Sequence, residues 1–310
     1  MKNFFSQLPF PEISIYFSAN YLAGIKVDRK EKFLKDYFVF PFERGIIEPS
    51  FIEENIKDKL SVKEKIREGI NKLNPSSNKL SLLIPETSVK VFLLNFGSLP
   101  SRKEETEELV LWRVKKQIPI PKESVRFAWQ QIKSNNQIKV IVMAGSEKVI
   151  AQYENFFSEL GFQVKLIESS IFNLLNIIRD KLEGNTLLIN LEKSYLTLLG
   201  LTPFEIVIYR VKSILPSGKE EVFREISNTL KFLGDKAEIE INSFWVRAVS
   251  SNNTQDWLRE LYKEFSVPVN IIDPFQQLQF SDSSFEEISL QEKQILLPLI
   301  GQTLWKDSKL

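Results

Sequence analysis

Four carboxylates in five positions, Glu104, Glu105, Glu107 and Glu108, form the densest group of reactive side chains in the sequence. Carboxylates this close can hold a divalent cation or share the roles of general acid and base. The surrounding residues favour a plainer reading. Ser101-Arg102-Lys103-Glu104 reads as a capping box, which puts the carboxylates in the first turns of a helix, where they complement its macrodipole. Arg113, Lys115 and Lys116 fall at the far end of the same helix, where cations belong. The sequence has no histidine and no cysteine. That excludes zinc sites of the usual ligand sets, thiol catalysis, disulfides and any Ser-His or Cys-His nucleophile system. The eleven glycines fall in no phosphate-loop pattern.

With 41 basic and 40 acidic residues, the formal charge is +1, and no strong field gathers nucleic acid or anionic lipid. Nucleic acid is not expected as a partner. At 310 residues and 43% hydrophobic, the chain can bury one large core or two medium ones, and domain-size statistics favour two lobes. The amino-terminal segment is broken by Pro9 and Pro11 and is too short for a signal-peptide core. No stretch reaches the ~20 apolar residues of a membrane span, so a cytoplasmic location is the default. Phe4, Phe5 and Phe10 read as a segment docking on the protein's own surface.

The pattern of elements is expected to position these residues as follows. Strands over 12–17, 21–27 and 33–40 form a meander, and helices follow over 51–60 and 61–73, the second opened by Ser61-Val62-Lys63-Glu64. A buried strand covers 79–84. Residues 88–161 read as strand, helix, strand, strand, helix, with a hairpin turn at 134–137 and a second helix starting near Ser146. A strand over 163–167 and a helix over 169–182 follow, closed by Gly184. Strands over 186–191, 195–201 and 205–211 then repeat the opening. A capping box at Ser217-Gly218-Lys219-Glu220 begins a helix ending at Gly234. A strand over 239–249, a helix carrying Trp257, Leu258, Leu261, Tyr262 and Phe265, and a strand over 269–272 continue the alternation. Residues 273–288 read as a disordered loop, and Ser289-Leu290-Gln291-Glu292 opens the last helix. Three strands followed by alternating helices and strands, twice over, indicate an α/β chain with the duplicated layout of actin-like and ribonuclease H-like folds.

The stretch 93–129, LLNFGSLPSRKEETEELVLWRVKKQIPIPKESVRFAW, places a strand ending in Leu-Pro before a helix, the rigid turn Ile118-Pro119-Ile120-Pro121 and a strand with Phe127 and Trp129. This order resembles the inserted small subdomain of the PilM family, actin-like cytoplasmic proteins of type IV pilus assembly, and of its type II secretion relatives, the GspL family. The resemblance is loosely traceable across nearly the whole chain. It implies a two-lobed actin-like fold divided as 1–87, first lobe; 88–161, inserted small α+β subdomain; 162–184, return to the first lobe; and 185–310, second lobe. The PilM family carries a further subdomain inserted in the second lobe, but here Val211 runs almost directly into the helix at Ser217 and leaves no room for it, a reduction that departs from PilM in the direction of GspL.

Actin-like ATPases grip phosphates with two hairpin turns, each supplying an Asp and a Gly. The first turn here reads Ser14-Ile15-Tyr16-Phe17-Ser18, with Tyr16 at the Asp position and Ser18 at the Gly position. The second reads Leu188-Ile189-Asn190-Leu191-Glu192-Lys193, with Asn190 for Asp and Glu192 for Gly. The adenosine-side segment 243–251, SFWVRAVSS, has no glycine. These substitutions remove backbone access and set a carboxylate where a phosphate would lie, so no cofactor, metal or catalytic residue is expected.

By resemblance, the chain is a non-catalytic cytoplasmic adaptor, held at the inner membrane through a partner. It would bind the cytoplasmic tail of a PilN-like or GspM-like platform protein and couple it to the motor ATPase, with a homodimer left open. Phe92, Trp112, Arg113, Lys116, Phe127 and Trp129 are the expected partner-binding residues. Two other readings stand beside this one: an actin-like ATPase that switches or polymerises with ATP, and the cytoplasmic half of a secretion protein whose membrane segment follows Leu310.

Overall fold

The structure, a computed structural model, describes residues 10–28, 33–133, 138–203, 205–214, 218–249, 254–273, 279–280 and 288–304. Its first strands are β1 (Ile13–Phe17), β2 (Tyr21–Asp28) and β3 (Phe33–Pro41). An irregular stretch leads to helix α1 (Lys59–Leu73) and strand β4 (Lys79–Leu83). The block β5 (Val89–Phe96), α2 (Lys103–Lys115), β6 (Val125–Lys133), β7 (Ile138–Ser146) and α3 (Glu147–Ser158) follows. Then come β8 (Gln163–Glu168), α4 (Ser170–Ile178), β9 (Thr186–Leu191), β10 (Tyr195–Leu201) and β11 (Ile206–Ser213). The chain continues with α5 (Lys219–Ala237), β12 (Ser243–Ala248), α6 (Thr254–Phe265), β13 (Val269–Ile271), β14 (Gln279–Phe280) and α7 (Leu290–Thr303).

Three sheets result, in the strand orders β14-β3-β2-β1-β4-β8, β11-β10-β9-β12-β13 and β5-β7-β6. In the two larger sheets the first strand of a three-strand run lies centrally, and a later strand pairs parallel to it: β4 with β1, and β12 with β9. Every residue of β1 and of β9 is buried, as expected of central strands covered on both faces. The α/β class and the duplicated layout read from the sequence are therefore present. The described chain forms two compact units. One contains residues up to Leu22 and Phe40–Glu168; the other contains Ala23–Val39 and the residues from Ser169 on.

Several local expectations are corrected. Residues 51–60 form no helix before α1, because Asn55 draws the backbone into a loop. Its amide donates to the carbonyls of Ser50 and Glu53 at 2.8 and 2.7 Å, the kind of local bonding by which Asn competes with helix. Helix α1 then starts at Lys59 with Asp58 as its cap, accepting from the Ser61 N–H at 3.1 Å, rather than with Ser61. Arg102 occupies the α2 cap position without a side-chain bond, so the box at Ser101 does not form. Helix α5 has Gly218 at its cap; Ser217 lies outside the described residues.

Gly234 does not stop α5. The helix runs on until Glu238 adopts φ 54° and Ile239 N–H closes on the Leu233 carbonyl, an αL stop made by a non-glycine residue. Within the expected loop 273–288, Gln279 and Phe280 pair in parallel with Phe33 and Leu34. The turn at 134–137, residues 1–9 and most of that loop lie outside the described residues. The last capping box forms as read: Ser289 Oγ accepts from Glu292 N–H, and Glu292 accepts from Ser289 N–H.

Candidate functional site

The two hairpins that would face phosphates in a nucleotide-binding relative have matching backbones. After β1, the Ser18 N–H bonds the Tyr21 carbonyl at 2.9 Å. After β9, the Glu192 N–H bonds the Tyr195 carbonyl at 2.9 Å. This equivalence supports pairing Ser18 with Glu192 and Tyr16 with Asn190. None of the four has the left-handed backbone that glycine would permit, and all four are fully buried. At the first turn the Tyr16 ring meets Tyr21 edge-on at 5.5 Å, and the neighbouring Phe17 packs on Tyr153 and Phe157. Aromatic side chains fill this hairpin.

The second hairpin contains a buried ionic cluster. Arg247 on β12 stands in register with Asn190 on β9, which is in register with Thr197 on β10, and all three are 0% exposed. The Arg247 Nη1 donates to Asn190 Oδ1 at 2.6 Å and lies 2.8 Å from Glu192 Oε1, also 0% exposed. Asn190 Nδ2 donates in turn to Ser170 Oγ at 3.0 Å. Arg247 Nε donates to the main-chain carbonyl of Gln294, on α7, at 2.6 Å. That carbonyl would ordinarily serve the N–H four residues later, but residue 298 is Pro298, within the helix, and proline has none. The guanidinium therefore satisfies a carboxylate, an amide and an orphaned helical carbonyl together, using the planar fork that lysine lacks.

These residues do not fit a nucleotide's phosphates. A phosphate arriving at the second turn would face the Glu192 carboxylate, would find no glycine amide to approach, and would have to displace a guanidinium already engaged by the protein. Among the described residues no group of three or more Asp or Glu is placed to hold a metal ion. The sequence sets the Glu192 carboxylate where a phosphate would lie; the structure pairs it with Arg247. Arg247 is the residue of this cluster that the sequence pattern passes over, although an arginine inside the apolar run Phe244-Trp245-Val246-Arg247-Ala248-Val249 signals a buried charge that needs a partner.

The expected partner-binding residues separate into two sets. Phe92 on β5, Val142 on β7 and Trp129 on β6 form one cross-strand row. Phe127 is buried, and Phe92 and Trp129 are half-buried against the same core, formed with Val110, Val114 and Ile118 from α2 and the segment after it. Trp112, by contrast, is 54% exposed on α2. Lys116 Nζ sits 3.6 Å from the centre of its ring, and Arg113 lies over Phe96 at 5.2 Å. Three of the six therefore belong to the packing of the β5-β7-β6 sheet against α2, and Trp112, Arg113 and Lys116 lie on the exposed side of α2.

A second buried network has no signature in the sequence pattern. Asn55 Oδ1 accepts from Tyr153 Oη at 3.0 Å and from Ser88 Oγ, while Gln152 Oε1 accepts from the N–H groups of Asn55 and Ile56 at 2.8 and 3.1 Å. Burial pushes the Tyr153 phenol pKa up, against a smaller lowering by its hydrogen bond to Ser88, so it stays a neutral donor at any physiological pH. The polar side chains of this set satisfy one another, which marks it as a clamp for the loop over α3 rather than a reactive centre. Asn55→Ala is expected to lower stability by about 2 kcal/mol, through the two carbonyls and two hydroxyls that lose their Asn55 partner. A chemical-denaturation midpoint matching the parent protein's would contradict that role.

No family model and no curated protein matches the sequence. Among solved structures, the chain is similar to one described as a PilM-PilN type IV pilus biogenesis complex, at 14% identity and TM-score 0.78, covering 96% of this chain and 97% of that one. It is also similar to the cytoplasmic domain of EpsL, an inner-membrane component of the Vibrio cholerae type II secretion system, at 8% identity and TM-score 0.51, covering 95% of each. A third likeness is to a Bacteroides thetaiotaomicron protein of actin-like ATPase fold and unknown function, at 12% identity and TM-score 0.51, covering 88% of this chain and 93% of that one. At these identities the likeness shows the fold: the chain has the actin-like architecture. Among the described residues no helix is long and apolar enough to cross a membrane.

Proposed function

We propose that this protein is a non-catalytic scaffold at the cytoplasmic face of the inner membrane in a type IV pilus or type II secretion machine. It binds the cytoplasmic tail of a PilN-like or GspM-like membrane protein and links it to the motor ATPase. The observation that carries the non-catalytic reading is the second hairpin, whose ligand-facing end is filled by the Arg247–Glu192 pair and Asn190. The likeness to a structure described as a PilM-PilN complex and to the EpsL cytoplasmic domain supports the setting. An actin-like ATPase that switches with nucleotide ranks below this, because both hairpins lack the Asp and Gly pair such chemistry uses.

Trp112 is the anchor candidate that separates cleanly from folding, since its ring is largely exposed. Exposed aromatics beside cations are typical anchors for short segments. In calorimetric titrations with synthetic tail peptides from membrane proteins encoded beside this one, saturable binding is expected. Trp112→Ala should weaken it by about 2 kcal/mol, roughly 30-fold. Trp129→Ala should weaken it too, but with a loss of subdomain stability, because that ring packs on the core. Undiminished affinity in a folded Trp112→Ala variant would remove Trp112 from the interface. Absence of binding to every such tail would count against the scaffold reading.

A further inference from the structure

We propose that Arg247 is a built-in guanidinium ligand, a tethered cation that fastens α7 to the β9–β10 turn, and that this end of the second unit is therefore set by the sequence and does not respond to nucleotide. The inference rests on the reading of the site as unable to accept phosphates; it does not depend on which partner the protein binds.

Three observations converge. The guanidinium is completely buried, and it bonds to three separate elements: Asn190 from β9, Glu192 from the turn after it, and Gln294 from α7. Pro298 removes the helical N–H that would otherwise satisfy the Gln294 carbonyl, so α7 carries an acceptor that something outside the helix must meet. Gln294 returns the contact, its Oε1 lying 3.4 Å from the Ala248 N–H, one residue along β12 from Arg247. The proline and the arginine are thus complementary: one creates the vacant acceptor, and the other fills it while neutralising Glu192.

The chemistry that recognises this site is a planar, permanently charged fork with donors in two directions. One edge meets a carboxylate and an amide, and the Nε edge meets a carbonyl. An ammonium of similar charge presents no such fork. Truncating Arg247 should therefore leave a cavity selective for guanidinium cations. The coupling to Pro298 is a second consequence, because restoring an N–H at that position gives Gln294 an internal partner and makes the arginine less necessary.

The test uses the full chain and thermal melting. Arg247→Ala is expected to melt well below the parent protein. Millimolar methylguanidinium should raise its melting temperature saturably, by mass action on the folded state. Ethylammonium at the same concentration should do no more than a simple salt, and neither should stabilise the parent. In the Pro298→Ala background, the drop caused by Arg247→Ala should be smaller than in the parent. An Arg247→Ala protein that melts with the parent, or one stabilised equally by both cations, would overturn the proposal. If Arg247→Ala does not fold, Arg247→Lys serves instead: faster amide exchange along α7 than in the parent supports the fork, and parental exchange rates refute it.

Discussion

Gly301→Ala is expected to destabilise the second unit by about 3 kcal/mol, at the upper end of what one inserted methyl group usually costs. A Cβ built at Gly301 would stand 2.0 Å from the Asn173 carbonyl oxygen and 2.6 Å from its carbon. Both are backbone atoms of α4, so no rotamer change relieves the clash, and α7 must retreat from α4. That retreat loosens the same helix that Arg247 holds through Gln294, and the damage should reach the buried cluster. Gly234→Ala is the matched control. It lies in α5, where an added Cβ would meet nothing within 4 Å, and there alanine should add roughly 0.5–1 kcal/mol through helix propensity. Urea unfolding with the slope held constant distinguishes the two. Equal midpoints for Gly301→Ala and the parent would mean that α4 and α7 do not pack this closely.

The second large effect concerns the buried pair. Glu192→Leu alone removes the Glu192 carboxylate from the Arg247 guanidinium in a fully buried setting, and about 3–5 kcal/mol should be lost, as when one partner of a buried ion pair is removed. Replacing both groups, Glu192→Leu with Arg247→Met, should recover much of that loss, because the two charges of the pair are removed together and apolar side chains fill the space. The recovery will be incomplete, since Asn190 and the Gln294 carbonyl still lose a donor. A double-mutant cycle measures the coupling. Additive losses would show that the two side chains do not act as a pair.

The architecture was legible because it is written in periodicity. β9 and β10 were read to the residue, and β1 to β4 and α4 to within a few residues at each end, because apolar runs bounded by turn residues leave little choice for a strand. The last capping box was legible for the same reason: Ser289 and Glu292 need only each other. Some failures are local choices between neighbouring helix ends, and the others originate in groups satisfied from a distance. Residues 51–60 have the composition of a helix, but Asn55 is bonded by Ser88, Gln152 and Tyr153, which lie far along the chain. Glu238 ends α5 where Gly234 was the obvious candidate. At the hairpins, the substitutions at Tyr16, Ser18, Asn190 and Glu192 could be read, but the pairing of Glu192 and Asn190 with Arg247 could not. Arg247 and Pro298 acquire their meaning only when β12 and α7 are brought together. Phe127 likewise looked like an interface aromatic until the α2 core closed over it.

The most direct test of the central claim is a calorimetric titration of magnesium ATP into the purified protein. A site filled by the protein's own guanidinium and carboxylate should give no saturable heat up to millimolar nucleotide. Saturable, magnesium-dependent binding would contradict the account: it would mean that the Arg247–Glu192 pair opens for phosphate, and the nucleotide-switched reading would take precedence.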